Sequence, residues 1–259
     1  MVEQKLFKNG VPYVKFGTGT KTLLIFSGGP GNYLKSSLYK EYSFLEKQYT
    51  IYVLSRKSDL PEGYSTSDMA EDYAAVIKNE LNIGPVDVMG ESYGGLIAQH
   101  LAANHPEIVH RLVISMSAYR FSREGAEMDM RFAQLASEGK TAAAFRSLAP
   151  MFDGNRVKRH LLVFFMSLFG SKMLSNPNPD DLLVEGKAEL LHDSKNQLSR
   201  ITAPTLVVAG DRDYFCPVPL LRETASLIPN AKLIIYKGKG HGSLGKQFRL
   251  DLLSFLGCS

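Results

Sequence analysis

The sequence predicts an α/β protein with a mostly parallel central sheet that is flanked by helices and interrupted by an inserted helical segment. Short continuous apolar runs alternate with amphipathic segments of helix length, which is typical of strands buried between crossover helices. This alternation stops between about residues 119 and 199, where no buried-strand run occurs. One apolar run ends in Gly-x-Ser-x-Gly, at residues 90–94, and a strong helix former follows it.

The elements follow one another in a regular order along the chain. Two short alternating runs flank Asn9-Gly10, a dipeptide that favours a two-residue hairpin turn. Between two of the later strands, Ser67 is the expected N-cap of an amphipathic helix. Alternating strands and helices of this kind imply right-handed crossovers and parallel pairing. The apolar runs interpreted as buried strands are 22–26, 51–54, 86–89, 112–115, 205–209 and 233–236.

The break in this alternation predicts the domain organisation. We expect residues 1–118 and 200–259 to form the α/β core and residues 119–199 to form a helical cap inserted into it. Part of the cap, residues 161–169, is apolar on all sides. Packing between cap and core explains this composition, and so does an apolar lining for a substrate pocket, to which Phe164, Phe165 and Phe169 would contribute.

Composition limits the classes of protein to consider. The chain has 259 residues, 44% of them hydrophobic, which fits one sizeable domain or a domain with an insertion. The net charge of +4 is spread along the chain, so no nucleic-acid surface is indicated. Residues 1–10 do not resemble a signal peptide, and the longest apolar run is too short to cross a bilayer. We expect a cytoplasmic protein without a membrane partner, acting on a small molecule, with Cys216 and Cys258 as free thiols.

The Gly-x-Ser-x-Gly stretch predicts a nucleophile. A sharp turn from strand to helix forces strained backbone angles on Ser92 and leaves no space for side chains at Gly90 and Gly94. The turn lifts the serine clear of the sheet, at the start of a helix whose amide groups favour negative charge. A five-residue motif with only three fixed positions is common in proteins, but the strand-to-helix context here favours the catalytic interpretation.

An acid and a histidine follow the last two predicted strands. Asp211 and Asp213 come after the strand 205–209, at the edge where open α/β sheets place their sites. His241 lies between glycines in the loop after the last strand, where it has no role in filling a core. It is the expected general base for Ser92. His192, near the end of the predicted cap, is the one competitor that we retain.

A glycine-rich loop, Ser27-Gly28-Gly29-Pro30-Gly31, follows the strand 22–26. Glycines at this place let the backbone pass close to another group and point amide groups into a cleft, as an oxyanion hole requires. A plain tight turn is the alternative explanation, and the motif alone does not separate the two. Its position one βαβ-sized interval upstream of Ser92 favours the oxyanion hole.

The order of nucleophile, acid and histidine, with a glycine-rich loop upstream, resembles the α/β-hydrolase superfamily over nearly the whole chain. In that family the acid ends a Gly-x-x-Asp run and a proline follows three or four residues later, a spacing that Gly210, Asp213 and Pro217 match. The resemblance implies an oxyanion hole formed by the amides of Gly29 and Tyr93, and a reaction that needs no metal or organic cofactor. The loop is similar to that of proline iminopeptidases, except that Ser27 stands where they carry histidine.

Three functions fit these residues. The first is a serine hydrolase that cleaves carboxylic esters of small to medium acyl or alcohol groups through an acyl-enzyme. The second is a proline iminopeptidase-like aminopeptidase or an amidase, which needs cap acids to hold a substrate ammonium. Glu124, Glu127 and Asp129 are available for this, although we expect them to be solvated. The third is a ligand-binding or signalling protein that retains the fold. Carbon–carbon bond hydrolysis and acyl transfer would use the same residues.

Overall fold

A computed structural model describes residues 2–29, 31, 39–151, 161, 163–166, 178–242 and 244–258 of the chain. These residues form an eight-stranded sheet in the order β1-β2-β4-β3-β5-β6-β7-β8. The first two strands pair antiparallel at one edge, and all pairs from β4 to β8 are parallel, which confirms the predicted fold class. The strands are β1 (Glu3–Leu6), β2 (Pro12–Phe16), β3 (Lys21–Phe26), β4 (Tyr49–Leu54), β5 (Val86–Glu91), β6 (Val109–Ser115), β7 (Thr205–Gly210) and β8 (Ala231–Tyr236).

Helices connect these strands and cover the sheet. The α-helices among the described residues are α1 (Tyr39–Tyr42), α2 (Thr66–Ala75), α3 (Tyr93–Asn104), α4 (Arg123–Ser137), α5 (Thr141–Ser147), α6 (Asp180–Leu190), α7 (Val218–Leu227) and α8 (Gly245–Phe255). A π-helical stretch, Val76–Leu81, continues α2, and short 3-10 turns lie at Ser43–Leu45, Pro106–Ile108, Ala149–Met151 and Lys195–Arg200. Among the described residues, no helix is both long enough and apolar enough to cross a bilayer.

The sheet is buried on both faces, as its continuous apolar strands require. Along β3, Leu24 and Phe26 contribute to the core on one face, which includes residues of α2, α3 and α7. Leu23 and Ile25 point to the opposite face, whose core is completed by α8. The alternation of side chains along a strand therefore divides one apolar run between two cores.

Two local predictions are corrected. The hairpin around Asn9 uses the five residues 7–11, with Leu6 paired to Pro12. The turn is longer than two residues because the Gly10 N–H donates to the Phe7 carbonyl oxygen and the Phe7 N–H donates to the Val11 carbonyl oxygen, both at 2.9 Å. Helix α2 is capped by Ser65, two residues before Ser67. Ser65 and Asp68 form a reciprocal capping box, which satisfies two backbone N–H groups at once.

Between β6 and β7, the described residues form helices connected by loops. Helices α4, α5 and α6 pack on one another around a small core of their own. The division of the chain into a core of residues 1–118 and 200–259 and a cap of residues 119–199 stays a prediction. The members of this small core are Phe132, Ala133, Ala136, Ala144, Phe145 and Leu182.

Candidate active site

Ser92 lies in a strained turn between β5 and α3. Its backbone has φ 49° and ψ −118°, a conformation that residues with side chains rarely adopt. A Cβ at Gly90 would lie 2.5 Å from the Gly94 carbonyl oxygen, and one at Gly94 would lie 2.1 Å from the Phe26 carbonyl oxygen. Only glycine fits at either position, so the two predicted glycines permit the close contacts that hold the serine in this turn.

The loops after β7 and β8 are hydrogen-bonded to each other. Gly210 and Tyr236 end the two strands in register, and the Arg212 N–H then donates to the Lys239 carbonyl oxygen at 2.9 Å. The Asp211 carboxylate accepts from the Gly238 N–H at 2.6 Å, as suits a turn residue. These contacts hold the Asp213 loop against the His241 loop.

The structure brings Ser92, His241 and Asp213 together. The Ser92 Oγ lies 2.8 Å from His241 Nε2, and His241 Nδ1 lies 2.9 Å from both carboxylate oxygens of Asp213. The backbone N–H groups of Phe215 and Cys216 donate to Asp213 Oδ1 at 2.9 and 3.0 Å. Because a carboxylate only accepts, Nδ1 is the protonated ring nitrogen, and Nε2 is left to accept from the serine.

Aromatic packing orients the histidine ring. The Phe215 ring centroid lies 4.5 Å from that of His241, and the Phe121 ring meets it edge-on at 6.4 Å. The competing histidine, His192, has a different environment: its Nδ1 is 2.8 Å from Thr66 Oγ1 and its ring packs against His100. Burial lowers the pKa of His192 well below its usual value. It is His241, and not His192, that contacts Ser92.

The glycine-rich loop passes directly beside the serine. A Cβ on Gly28 would lie 3.1 Å from the Ser92 Cβ, and Gly29 has φ +67°, in the left-handed region. The Gly29 N–H donates no hydrogen bond to any of the described residues. Tyr93 is the first residue of α3, and its N–H has no acceptor inside the helix. Both amides are therefore available near Ser92, and their role as oxyanion donors stays a prediction.

A buried arginine holds this loop. Arg56 follows β4 and is only 1% exposed. Its guanidinium donates to the carbonyl oxygens of Ser27, Gly29 and Gly31, with Nη1 2.8 Å from the Ser27 oxygen. Its counter-ion is Glu185 of α6, whose Oε2 lies 3.1 Å from Nη2. Burial raises the pKa of the Glu185 carboxyl, and the adjacent guanidinium opposes that rise.

A pocket of about 490 Å³ opens beside Ser92 and His241. Most of its wall is apolar. Among the aromatic residues singled out from the sequence, Phe164 and Phe165 are 56% and 50% exposed and do not belong to the described lining, while Phe169 lies outside the described residues. Their assignment to substrate binding stays a prediction. The apolar lining residues are Met116, Phe132, Phe145, Leu148, Met151 and Phe215.

The remaining polar lining of the pocket is acidic. Glu41, Glu91 and Asp129 line it, and the described lining includes no lysine or arginine. Burial raises the pKa of Glu91 to about 7. Asp129 is 8% exposed, in contrast to the solvated position expected for it, and its carboxyl faces that of Glu189. Burial and this mutual repulsion raise the pKa of Glu189 far above its usual value.

Sequence reasoning missed Arg56, Glu185 and Glu189. The two glutamates and Leu182 lie on the buried face of α6 at spacings of three and four residues. A carboxyl at such a position in an apolar stripe is the signal that could have found them. No comparable local signal marks Arg56, because its partner is 129 residues away. Within the described ranges, no three histidine, cysteine or acidic side chains form a group that could hold a metal ion.

Comparison with known families identifies the fold. The family model of the alpha/beta hydrolase fold matches residues 21–246, most of the chain. The chain therefore belongs to the alpha/beta hydrolase fold family. The region matched by the family model begins at β3 and ends at the start of α8, so it includes Ser92, Asp213 and His241.

Curated relatives of this alpha/beta hydrolase are themselves named as hydrolases. "Putative carbamate hydrolase RutD" of Pseudomonas syringae pv. syringae is 28% identical over 241 residues, 86% of this chain and 87% of the relative. "Pimeloyl-[acyl-carrier protein] methyl ester esterase" of Vibrio campbellii is 24% identical over 236 residues, 87% of this chain and 89% of the relative. These similarities support a hydrolase.

Solved structures show the same fold at low identity. MGS-M2, an alpha/beta hydrolase enzyme from a Medee basin deep-sea metagenome library, has a TM-score of 0.82 at 19% identity, and the match covers 99% of this chain and 98% of that one. The enol-lactonase from Burkholderia xenovorans LB400 has a TM-score of 0.77 at 21% identity, with 95% and 96% covered. At these identities the likeness extends to the fold alone.

Proposed function

We propose that this alpha/beta hydrolase is a serine hydrolase that cleaves carboxylic esters through an acyl-enzyme. The observation that carries the proposal is the continuous chain of contacts from Ser92 Oγ through both ring nitrogens of His241 to Asp213, at 2.8 and 2.9 Å. A nucleophile, a base and an orienting carboxylate in this arrangement are what acyl transfer requires.

In the first half of the proposed reaction, the acyl group moves from the substrate to the serine. Ser92 Oγ attacks the ester carbonyl carbon while His241 Nε2 takes the hydroxyl proton. The N–H groups of Gly29 and Tyr93 receive the negative charge on the carbonyl oxygen, and the N-terminus of α3 adds a favourable field. His241 then returns the proton to the leaving alcohol, which departs and leaves the acyl group on Ser92.

In the second half, water releases the acyl group. His241 Nε2 takes a proton from the attacking water, and the same amides receive the charge of the second tetrahedral intermediate. The proton returns to Ser92 as the carboxylic acid leaves. Asp213 holds the imidazole in one tautomer throughout, because both of its carboxylate oxygens face Nδ1.

The pocket supports an ester of small to medium size. A volume of about 490 Å³ falls within the range of small-molecule sites. The mostly apolar wall suits an acyl or alcohol group without charge, and one curated relative is named as a methyl ester esterase. We therefore place neutral carboxylic esters first among the substrates.

The direct test is labelling and turnover in Ser92→Ala. The wild-type protein should hydrolyse a short-chain p-nitrophenyl ester and bind one equivalent of a fluorophosphonate, and Ser92→Ala should do neither. Ser226→Ala, which changes an exposed serine of α7, is the matched control and should retain both. Labelling of Ser92→Ala at the wild-type rate would refute the proposal. Tight ligand binding without turnover would favour a binding protein.

A second candidate function is an aminopeptidase or amidase, and the acidic lining of the pocket favours it. The buried Asp129 carboxyl lines the pocket and faces the Glu189 carboxyl, so a substrate ammonium at this place would meet two acids and no described basic side chain of the lining. A panel of aminoacyl p-nitroanilides, including the prolyl compound, tests this function. Cleavage that is lost in Asp129→Asn while ester hydrolysis persists would establish it, and no cleavage at high enzyme concentration would remove it.

A further inference from the structure

Arg56 makes an unusual set of contacts for a fully buried cation. Its Nη1 donates to the Ser27 carbonyl oxygen at 2.8 Å and approaches the Ser27 hydroxyl at 3.3 Å. Its Nη2 donates to the carbonyl oxygens of Gly29 and Gly31, and Nε lies 3.2 Å from the Glu185 carboxylate. One planar guanidinium thus contacts three alternate carbonyls of the glycine-rich loop and one carboxylate of α6.

Glu185 attaches the other side of the site to the same unit. Its carboxylate accepts from the Gly31 N–H at 2.5 Å, and its backbone carbonyl oxygen accepts from the Tyr93 hydroxyl at 3.0 Å. The Arg56 guanidinium carbon also lies 5.0 Å from the centre of the Tyr93 ring. The ion pair therefore holds the loop that carries Gly29, and the Tyr93 side chain packs against the same unit.

We propose that the Arg56–Glu185 pair is a positioning unit that sets the direction of the Gly29 oxyanion donor and ties the glycine-rich loop to helix α6. This inference rests on the proposed function, because it assigns the pair a role in acyl transfer. Neither residue touches the reacting atoms: Arg56 acts through the loop backbone, and the Glu185 carboxylate acts through Arg56 and Gly31.

The peptide geometry explains how the pair sets the Gly29 N–H. This group belongs to the peptide between residues 28 and 29, and Arg56 binds the carbonyl oxygens of the two neighbouring peptides, those of Ser27 and Gly29. Since glycine permits many backbone angles, a loop this rich in glycine needs external contacts to hold one conformation. A rigid fork of donors can supply them, whereas a lysine ammonium at the same place would act as a single point charge.

The contact also explains how the loop is held when Ser27 occupies its first position. The Ser27 side chain is short, and its hydroxyl lies within reach of the guanidinium that also binds its carbonyl oxygen. The loop is therefore anchored from β4 and α6 rather than by a large side chain of its own. Glu185 is needed for this arrangement because an unpaired buried guanidinium would be costly.

The test compares Arg56→Lys and Glu185→Gln with Lys57→Met. Lysine retains the charge at residue 56 but not the fork, and glutamine retains an acceptor for Gly31 and Arg56. Lys57 is the next residue along the chain and pairs with Asp72 at 3.0 Å, away from the loop, so its loss is the matched control. For each variant we would measure kcat and KM for a p-nitrophenyl ester and the inhibition constants of two ketones.

The two ketones separate transition-state binding from ordinary binding. An alkyl trifluoromethyl ketone adds to the serine and places an oxyanion in the hole, while the corresponding methyl ketone binds without forming a stable adduct. A displaced donor should lower kcat about 100-fold in Arg56→Lys and Glu185→Gln, with KM changed less than about 3-fold. Affinity for the trifluoromethyl ketone should fall by the same factor as kcat/KM, affinity for the methyl ketone should hold, and Lys57→Met should match wild type.

Equal loss of affinity for both ketones would overturn the proposal, because the pair would then only shape the pocket. Unchanged kcat in both folded variants would overturn it as well. Because Arg56→Lys can destabilise the fold, Glu185→Gln, the milder change, serves as a second variant. Thermal melting shows which of the two variants are folded.

Amide hydrogen exchange separates failure of this inference from failure of the proposed function. In wild-type protein, the N–H groups of Ser27 and Gly31 and the segment 180–190 should be protected, and Arg56→Lys or Glu185→Gln should speed exchange at both places together. If no ester is cleaved but both places respond, the proposed function fails and the link between loop and helix stands. If ester hydrolysis is normal and neither place responds, the pair is not a positioning unit.

Discussion

The backbone at Ser92 shows how much this site depends on its neighbouring glycines. Its positive φ is tolerated because the chain on both sides is packed at distances that exclude a Cβ. The strain is held by the close approach of Gly94 to β3, which joins the turn to the centre of the sheet. The stability of the fold and the direction of the nucleophile therefore depend on the same contact.

A methyl group at Gly94 tests this dependence. Gly94→Ala would place a Cβ 2.1 Å from the Phe26 carbonyl oxygen, so the backbone must move, and we expect a loss of about 1–3 kcal/mol in the free energy of unfolding. Gly84→Ala is the control, because no atom lies within 4 Å of the added carbon, and its effect should stay within about 0.5 kcal/mol. Urea denaturation measures both. Equal stabilities would contradict the packing argument.

The choice between two neighbouring aspartates gives a second prediction at this scale. Asp213→Asn can donate to His241 Nδ1 and so favour the wrong tautomer, and kcat should fall about 10,000-fold with little change in the fold. Asp211→Asn retains the acceptor used by the Gly238 N–H, so ester turnover should change less than about 3-fold. Steady-state kinetics on both variants decides the assignment. A larger loss in Asp211→Asn would reverse it.

At the residue scale, the sequence predicted which side chains meet but not what supports them. Ser92, Asp213 and His241 follow strand ends, and chain order with glycine spacing was enough to select them. The spacing of Glu185 along α6 could mark it as a buried acid, but Arg56 could not be paired with it, because an ion pair between distant segments leaves no motif. The partners of Arg56 become evident only when helix α6 is placed against the glycine-rich loop.

At the scale of elements, helix α6 carries three buried acids, Asp181, Glu185 and Glu189, at four-residue spacing on one face. Each holds a different part of the molecule. Asp181 accepts from the N–H groups of Asp59 and Leu60 at 3.1 and 2.8 Å, Glu185 binds Arg56, and Glu189 faces Asp129 of α4. The helix thus adds polar contacts to the apolar packing that Leu182 and Ala188 provide.

The carboxyl pair on this helix predicts how stability depends on pH. Burial raises the pKa of both Asp129 and Glu189, so the folded protein holds a proton that the unfolded chain has released. Among the groups that face the pair, Glu185 repels it and raises the pKa of Glu189 further, while burial outweighs the attraction of His241 and Arg56. Stability should therefore fall as pH rises from about 4, where free carboxyls ionise, to about 7, the value to which the pKa of Asp129 is raised.

Thermal melting from pH 5 to pH 8 measures this effect. Glu189→Gln leaves one acid that can ionise beside a neutral amide, so the fall in melting temperature across that range should become shallower than in wild type. Glu127→Gln, which removes an exposed acid of α4, should leave the wild-type slope unchanged. A slope in Glu189→Gln equal to that of wild type would contradict the contribution of this carboxyl pair.

Element positions were predictable to different degrees. Each predicted buried strand is present, and the structure extends several of them by one to three residues because paired strands continue past their apolar stretch. The start of α2 was misplaced because Thr66 and Ser67 follow the true cap, and the three-residue spacing from Ser65 to Asp68 is the feature that identifies it. The arrangement of α4, α5 and α6 could not be derived, since it depends on contacts between distant side chains.

At the scale of the whole molecule, parallel pairing gathers the site at one edge. The loop after β3, the turn after β5 and the loops after β7 and β8 all lie at the carboxyl ends of their strands. This is why a site could be predicted from a sequence in which the nucleophile and its base are 149 residues apart. The charge of the pocket, by contrast, depends on which helix faces point inward.

That charge predicts selectivity between substrates. Since Glu41, Glu91 and Asp129 line the pocket without a described lysine or arginine beside them, p-nitrophenyl butyrate should be cleaved at least about 10-fold faster, in kcat/KM at pH 8, than mono-p-nitrophenyl succinate. Glu91→Gln should narrow the difference, and added salt should narrow it too. Equal rates for the two esters would show that the acids do not face the bound acyl chain.

The wall of the pocket also provides an optical handle. The chain contains no tryptophan, and Phe132 of α4 lies on that wall, with its ring 5.5 Å from Phe145. A Phe132→Trp variant would carry a single indole, excited near 295 nm without background from any other, at the surface where a ligand arrives. Stopped-flow fluorescence on that variant could then follow occupancy of the pocket in real time, with no labelled substrate and no coupled assay.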